Sequence, residues 1–311
     1  ALSDADCLTV ERLVGQQFPG MSTVLGASNS IGNPGEQGFG VGICPALPAG
    51  YSALYGTTDP ASNNYGNYQF SDGSVMVWVP ASYYKVGTGT NGLAINRVDV
   101  KPWLAFADVA AANADGYALH RAFYNAGVVQ LGVFVDKYQC SNNAGVASSL
   151  KNGNPLSSNS AHNPFGGLTG APSNTYGGAI AAAKTRGAAF FCASIFVHKM
   201  LALLSLAHGQ ASTSSTFCAW FDAAGITNFP KGCNNALSDT DDATILYVSD
   251  GYPNIGKTGS ANALARTKHN GQSCGVADLN GNMYEIAPGL TSDGTNYYLL
   301  KTNANITAAT R

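Results

Sequence analysis

An α+β fold is predicted for this chain. Three observations carry the expectation. Runs rich in β-branched and aromatic residues start near Ser71 and recur near Leu131. Two helix-like segments lie between residues 176 and 209. After residue 210 the chain returns as short apolar runs between Gly, Asn and Asp loops. Core material is ample, since 45% of the 311 residues are hydrophobic. Charged residues make up only 11%, with 16 basic against 18 acidic and a net charge of −2, which excludes a protein held on nucleic acid by phosphate contacts. An aromatic content of 10% argues against intrinsic disorder. Neutral Gly, Ser, Asn and Thr supply the polar bulk, a texture better suited to a particle component or an adhesin than to an ordinary cytosolic enzyme.

The elements follow in order. Ser3 can cap a short helix within residues 1–25, with Leu8, Val10, Leu13 and Val14 on its apolar face. Residues 26–60 are too rich in Gly and Pro for a long helix, as in GNPGEQGFGVG at 32–42. Those glycines lack the spacing and the Lys-Ser/Thr of a phosphate loop. Residues 1–70 are therefore read as an N-terminal arm and 71–311 as the folded domain. Asp72-Gly73 makes a turn into strands at 75–79 and 83–86, and Leu131–Tyr138 is a third strand. Residues 109–119 leave room for a helical turn. A helix over Tyr176–Arg186 closes at Gly187. A second spans Ile195–His208, capped by Ser194 and ended by Gly209, with Phe196, Met200, Leu203, Leu204 and Ala207 as its buried stripe. Apolar runs at 216–221, 244–248, 283–286 and 297–300 read as further short strands, and Trp78, Phe134, Leu203 and Met283 as core residues.

Chemistry is sparsely signalled. Seven cysteines without a CxxC pair read as small buried hydrophobes, with Cys218–Cys233 the one bridge to consider, and no Cys/His spacing fits zinc. His198 and His208 are ten apart, so they do not form an i,i+4 metal pair, and a protonated His208 suits the end of its helix. His120, His162 and His269 lie near loops, and no GxSxG elbow places a nucleophile. Glutamate is limited to Glu11, Glu36 and Glu285. The Asp239, Asp241, Asp242 cluster reads as a solvated acidic turn rather than a calcium loop. Glu285 needs a partner if buried, with Lys137, Arg186 and Lys199 as candidates.

Three segments carry a resemblance: MVWVP at 76–80, Asp136-Lys137-Tyr138-Gln139 at a strand end, and Asp278, Gly281, Asn282 and Glu285 around a tight turn, with two helices between the second and third. Over residues 71–300 this order resembles the formylglycine-generating-enzyme-like branch of the C-type lectin fold. The resemblance implies a C-type lectin-like domain following the Gly/Pro-rich arm. The enzymes of that family carry copper-binding cysteines after an Arg-Gly-Gly-Ser-Trp-like strand. Here NYYLL at 296–300 stands in that place, no cysteine follows Cys274, and no His-x-x-x-His triad offers an iron site. The catalytic residues of the family therefore do not transfer, and neither a cofactor nor a metal is expected.

The same fold serves without catalysis in bacteriophage tail-fibre receptor-binding proteins of the major tropism determinant type. That use implies a non-enzymatic virion protein, a tail fibre or spike component that attaches to other virion proteins through its arm and binds a host cell-surface receptor, protein or glycan. A homo-oligomer, a trimer by analogy, is expected. A capsid decoration or head-fibre protein and a metal-dependent oxidase of the formylglycine-generating type remain alternatives. Tyrosine, with 15 copies among Ser, Gly and Asn, supplies contact area at low entropic cost. Trp220, Phe221, Tyr247, Tyr252, Tyr297 and Tyr298 are the ligand-binding candidates. The apolar stretch 195–207 contains His198 and Lys199 and is shorter than the roughly 20 residues of a membrane span. The first 20 residues, with Asp4, Asp6, Glu11 and Arg12, lack the apolar core of a leader. Synthesis in the cytoplasm and a place in the virion, without membrane insertion, are expected.

Overall fold

In the computed structural model, residues 29–225, 229–234 and 236–300 are described; the helix expected within 1–25, and Cys7, lie outside the described residues. The apolar run at 75–80 is the central strand. Strands β1 (Tyr51–Ala53), β2 (Asn67–Phe70) and β3 (Val75–Pro80) pair antiparallel. At Ala81 the chain passes into β4 (Ser82–Val86), which pairs with β5 (Val98–Pro102) and, after helix α1 (Val109–Ala114), with β6 (Ala118–Leu119) in a second sheet. Asp108 caps α1 by accepting the Ala111 N–H at 2.7 Å. A small hairpin of β7 (Tyr124–Asn125) and β8 (Val128–Val129) leads to β9 (Gly132–Asp136), which closes the first sheet on the far side of β3. Hairpin β10 (Ser141–Asn143) and β11 (Val146–Ser148) precedes helices α2 (Tyr176–Lys184) and α3 (Ile195–Ala211). Hairpin β12 (Leu290–Ser292) and β13 (Tyr297–Leu299) comes last. The fold is mixed helix and sheet, with 17% helix and 21% strand, so most of the chain is held by loop contacts rather than ladders.

Strand β3 is covered on both faces, which is why its sequence is a continuous apolar run instead of an alternation. Val77 and Val79, fully buried, face α3 residues Met200, Leu201 and Leu204 in the main core. On the opposite face Trp78 packs on Phe134 at 4.9 Å, and Phe134 in turn meets Tyr51 and Tyr68. Gly132 is required here, because a Cβ would lie 2.4 Å from the Trp78 ring.

Several expectations need correction. The 1–70 arm is not separate over its described part. Ile31, Phe39 and Val41 are fully buried in the main core, and the boundary at 70/71 falls inside the β2–β3 hairpin. The glycines of 32–42 serve this close packing: Gly40 has φ +84°, and a Cβ there would sit 2.7 Å from His269 Nε2. Helix α3 continues through Gly209, and Ser212 ends it by donating its N–H and hydroxyl to His208 O at 2.9 and 2.7 Å. Its start is not capped by the Ser194 side chain; Pro288 O accepts the Ile195 N–H at 2.9 Å instead. The buried stripe is rotated slightly from the expected one, with Val197 and Leu201 inside and Phe196 and Leu203 at its margin. The runs at 216–221, 244–248 and 283–286 form no strands. Side chains take up the backbone groups instead, as when Leu246 N–H donates to Asn262 Oδ1 and Val248 N–H to Ser260 Oγ.

Buried polar groups hold the loops together. Arg186, at the end of α2, forks onto Asp136 at 2.6 and 3.0 Å, lies 3.3 Å from Asp72, and covers the Phe190 ring. Its side chain is only 3% exposed. Burial alone would raise the Asp72 carboxyl, but hydrogen bonds from Ser148 and Ser74 and the charge of Arg186 outweigh it and hold the carboxyl below its ordinary value. His208 is buried and neutral rather than a charged helix end. Its Nδ1 accepts the Gly35 N–H, so only Nε2 carries a proton, which it donates to Phe217 O. His269 is bound the same way between Val276 N–H and Gly40 O. Asp239 is buried rather than solvated, accepting N–H groups of Gly232, Asp241 and Asp242. The six described cysteines, Cys218 and Cys233 among them, are free thiols.

Removing one partner of a buried, hydrogen-bonded ion pair leaves a stranded charge, so Arg186→Ala is expected to lower the unfolding free energy by about 3–5 kcal/mol in denaturant titration. Burial pushes His269 and His120 down to about 4 from 6.5 and also lowers His208. Each is protonated in the unfolded chain before it is in the native one, so stability falls as pH drops from about 6.5 toward 4. Asp278, raised by burial to about 6, acts in the opposite sense but is outnumbered. The urea midpoint is expected to be higher at pH 7 than at about pH 4.5.

Candidate binding groove

The three segments singled out in the sequence meet in space. Gln139 is the joint: its Nε2 donates to Glu285 Oε1 at 3.1 Å and Asp278 O at 3.3 Å, and its Oε1 accepts from Asn282 Nδ2 at 2.9 Å. Gly281 (φ +75°) is forced, since a Cβ would lie 1.9 Å from Cys233 O. Glu285 faces His198 at 3.6 Å, not Lys137, Arg186 or Lys199. Asp278 is 1% exposed and accepts the Gly259 N–H and the Tyr247 hydroxyl. This junction is a hydrogen-bonded structural joint between the two segments.

The binding candidates separate into two groups. Trp220 and Tyr247 are 4% and 3% exposed, which makes them core residues and removes them as contact residues. Trp220 donates to Lys268 O at 2.9 Å and stacks on Phe229. Burial, and then the nearby Asp278 charge, push the Tyr247 hydroxyl far up. Tyr252 is half-buried, stacked on His162 with ring centroids 4.3 Å apart, and its hydroxyl accepts from Asn159. Phe221 is half-buried, its N–H donating to Cys218 O at 2.8 Å. Tyr297 and Tyr298, by contrast, stand out at 79% and 51% exposure.

Tyr298 lines a groove of about 770 Å³ between the start of α2 and the β12–β13 hairpin. Ser173, Thr175, Tyr176 and Gly178 form one wall; Pro288, Leu290, Tyr298 and Leu299 form the other. This volume lies within the ordinary range for small-ligand sites, about 300–1,000 Å³. Large apolar groups cluster at its rim: Tyr176, Leu290, Tyr298 and Leu299 are all at least half exposed or nearly so. Scattered exposed apolar residues mean little, but a contiguous set beside a concavity marks an interaction surface.

Both walls are pre-organised. Thr175 caps α2 by accepting the Gly178 N–H at 3.3 Å, and its hydroxyl meets Ser173 Oγ at 2.7 Å. The hairpin turn is tied by Asp293, whose Oδ1 accepts the N–H groups of Thr295 and Asn296, while Oδ2 takes the Tyr298 hydroxyl at 2.6 Å. The hydrogen bond from Tyr298, followed by those from the turn N–H groups, holds the Asp293 carboxyl well below the usual range. The hairpin base is fastened by Leu300 N–H to Gly289 O at 3.0 Å and by Arg121 to Leu300 O at 2.6 Å, with Arg121 also over the Phe196 ring. Tyr176 and Asp293 escaped the sequence reading. Asp293-Gly294 between two apolar runs is itself a hairpin signal and would have located the turn.

No described group of His, Cys, Asp and Glu has the makings of a metal site, and no helix among the described residues is long and apolar enough to cross a membrane. No protein-family model matches the chain, and no curated protein matches it. Trp220→Ala is expected to cost about 3–5 kcal/mol of stability, as a core aromatic truncation does, whereas Tyr297→Ala changes it by less than about 0.5 kcal/mol; thermal unfolding of the two variants checks the assignment.

Proposed function

We propose that this chain is a non-enzymatic bacteriophage virion protein, a tail fibre or spike component that binds a host surface receptor through the groove between α2 and the β12–β13 hairpin. The observation that carries the reading is the cluster of exposed Tyr176 and Tyr298 with Leu290 and Leu299 around a pre-formed concavity. Tyrosine presents a flat apolar face and a polar edge, which suits a sugar ring or an amphipathic protein surface. The low charge and the neutral polar composition support a particle role. A C-type lectin-like arrangement is proposed as the scaffold, supported by the meeting of two motif segments at Gln139 and by the pairing of the third, 76–80, with β9. Attachment to other virion proteins through the N-terminal region 1–70, and a trimeric assembly, belong to the same proposal.

Binding energy in such sites concentrates in a few aromatic anchors. The double variant Tyr176→Ala, Tyr298→Ala is expected to reduce adsorption of the purified protein to susceptible bacterial cells by about tenfold or more, with an unchanged unfolding temperature. Imaging of the assembled particle is expected to place a few symmetric copies at the tail. Adsorption unaffected by the double variant, or many copies spread over the head, would contradict the receptor role.

A further inference from the structure

Lys137 takes no part in the groove. It follows β9, is 4% exposed, and donates its backbone N–H to Val75 O at 2.9 Å. Asn67 opens β2, is fully buried, and stands opposite Val77. Val75 and Val77 are two apart on one strand, so Lys137 and Asn67 share a face of the sheet. There the Lys137 Nζ contacts Asn67 Oδ1. The Asn67 amide is fixed from its other side, with Nδ2 donating to Tyr65 O at 2.7 Å and Cys274 O at 2.8 Å. A second buried amine lies in the same region: Lys268 is 1% exposed, bonds to Ser273 O, and is lowered by burial and then by the charge of Lys137. Only the neutral form of a lysine amine carries the lone pair of a nucleophile. Burial favours that state, lowering Lys137 to about 8 and Lys268 further below its ordinary value.

We propose that Lys137 and Asn67 join through an intramolecular isopeptide bond. The carbonyl carbon lies one C=O bond, about 1.23 Å, behind the contacted oxygen. That brings the amine close to the separation of about 3–3.5 Å at which positioned groups react. The unprotonated Nζ attacks Cγ of Asn67, forming the Nζ–Cγ bond. One proton passes from Nζ to Nδ2. The Cγ–Nδ2 bond then breaks and Nδ2 leaves as ammonia. One amine and one primary amide become one secondary amide and one ammonia, so no oxidant or metal enters the balance. The product would tie the start of β2 to the end of β9, closing a span of 70 residues across the central strand.

Mass spectrometry of the full, denatured and reduced chain tests this. The intact mass is expected to fall short of the sequence mass by one ammonia, and a protease digest is expected to yield a branched peptide containing both Asn67 and Lys137. Lys137→Arg keeps the positive charge but lacks the amine nucleophile, and is expected to restore the full mass. The wild-type digest decides even if that variant folds poorly: separate linear peptides with unmodified Asn67 and Lys137 would overturn the proposal. An ammonia loss that persists in Lys137→Arg would overturn it as well, by placing the loss at another residue.

Discussion

The structure depends on a buried polar loop, residues 268–278, that binds backbone from three other parts of the chain. His269 holds Gly40 O, and Asn270 holds Phe39 O at 2.8 Å. Gln272 accepts the Gly38 N–H at 2.7 Å and donates to Glu36 O at 3.1 Å. The Ala277 N–H reaches Lys137 O, and Asp278 takes the Gly259 N–H. Each of these groups would cost free energy if buried without a partner. Their mutual satisfaction is therefore what lets long glycine-rich segments lie inside the molecule, where a loop would ordinarily leave backbone groups unpaired.

The same constraint explains the distribution of functionally interesting chemistry. Histidines, aspartates and lysines, the residues that would first be examined for catalysis, are mostly consumed in holding loops. His208 and His269 each have both ring nitrogens occupied by backbone groups, and Arg186 is surrounded by Asp136, Asp72 and the Ala147 carbonyl. The exposed rim of the groove is aromatic and apolar. It lies where α2 and the last hairpin leave a concavity between two walls fixed by Thr175 and Asp293. A rigid frame with an aromatic rim fits binding, because little conformational entropy is lost when a partner docks.

The sequence was legible where one short-range pattern decided the outcome. Strand β3, helix α2 and helix α3 were found because apolar runs and helical spacing act within a few residues. The motif pairing through Gln139 was foreshadowed by segment order, although Gln139 itself gave no sign of being the joint. What failed was the reading of residues 26–70. Glycine-rich sequence was taken as an arm, but those glycines permit close approach to His269 and Pro80, a reason visible only once the partner segments are in place. Trp220 and Tyr247 failed for the same reason: aromatic residues between loop signals look exposed until the loops fold over them. Tyr298, in its hairpin, stays 51% exposed, and its part in binding belongs to the proposal.

The integration of the glycine-rich segment into the core is the claim on which the rest stands, and native-state amide hydrogen exchange tests it most directly. The Gly40 and Val276 amides, bonded to Ile31 O and the His269 ring, are expected to exchange as slowly as the Val77 amide of the central strand, through global unfolding alone. Exchange of Gly40 and Val276 at the rate of an exposed loop, with Val77 still protected, would contradict the account.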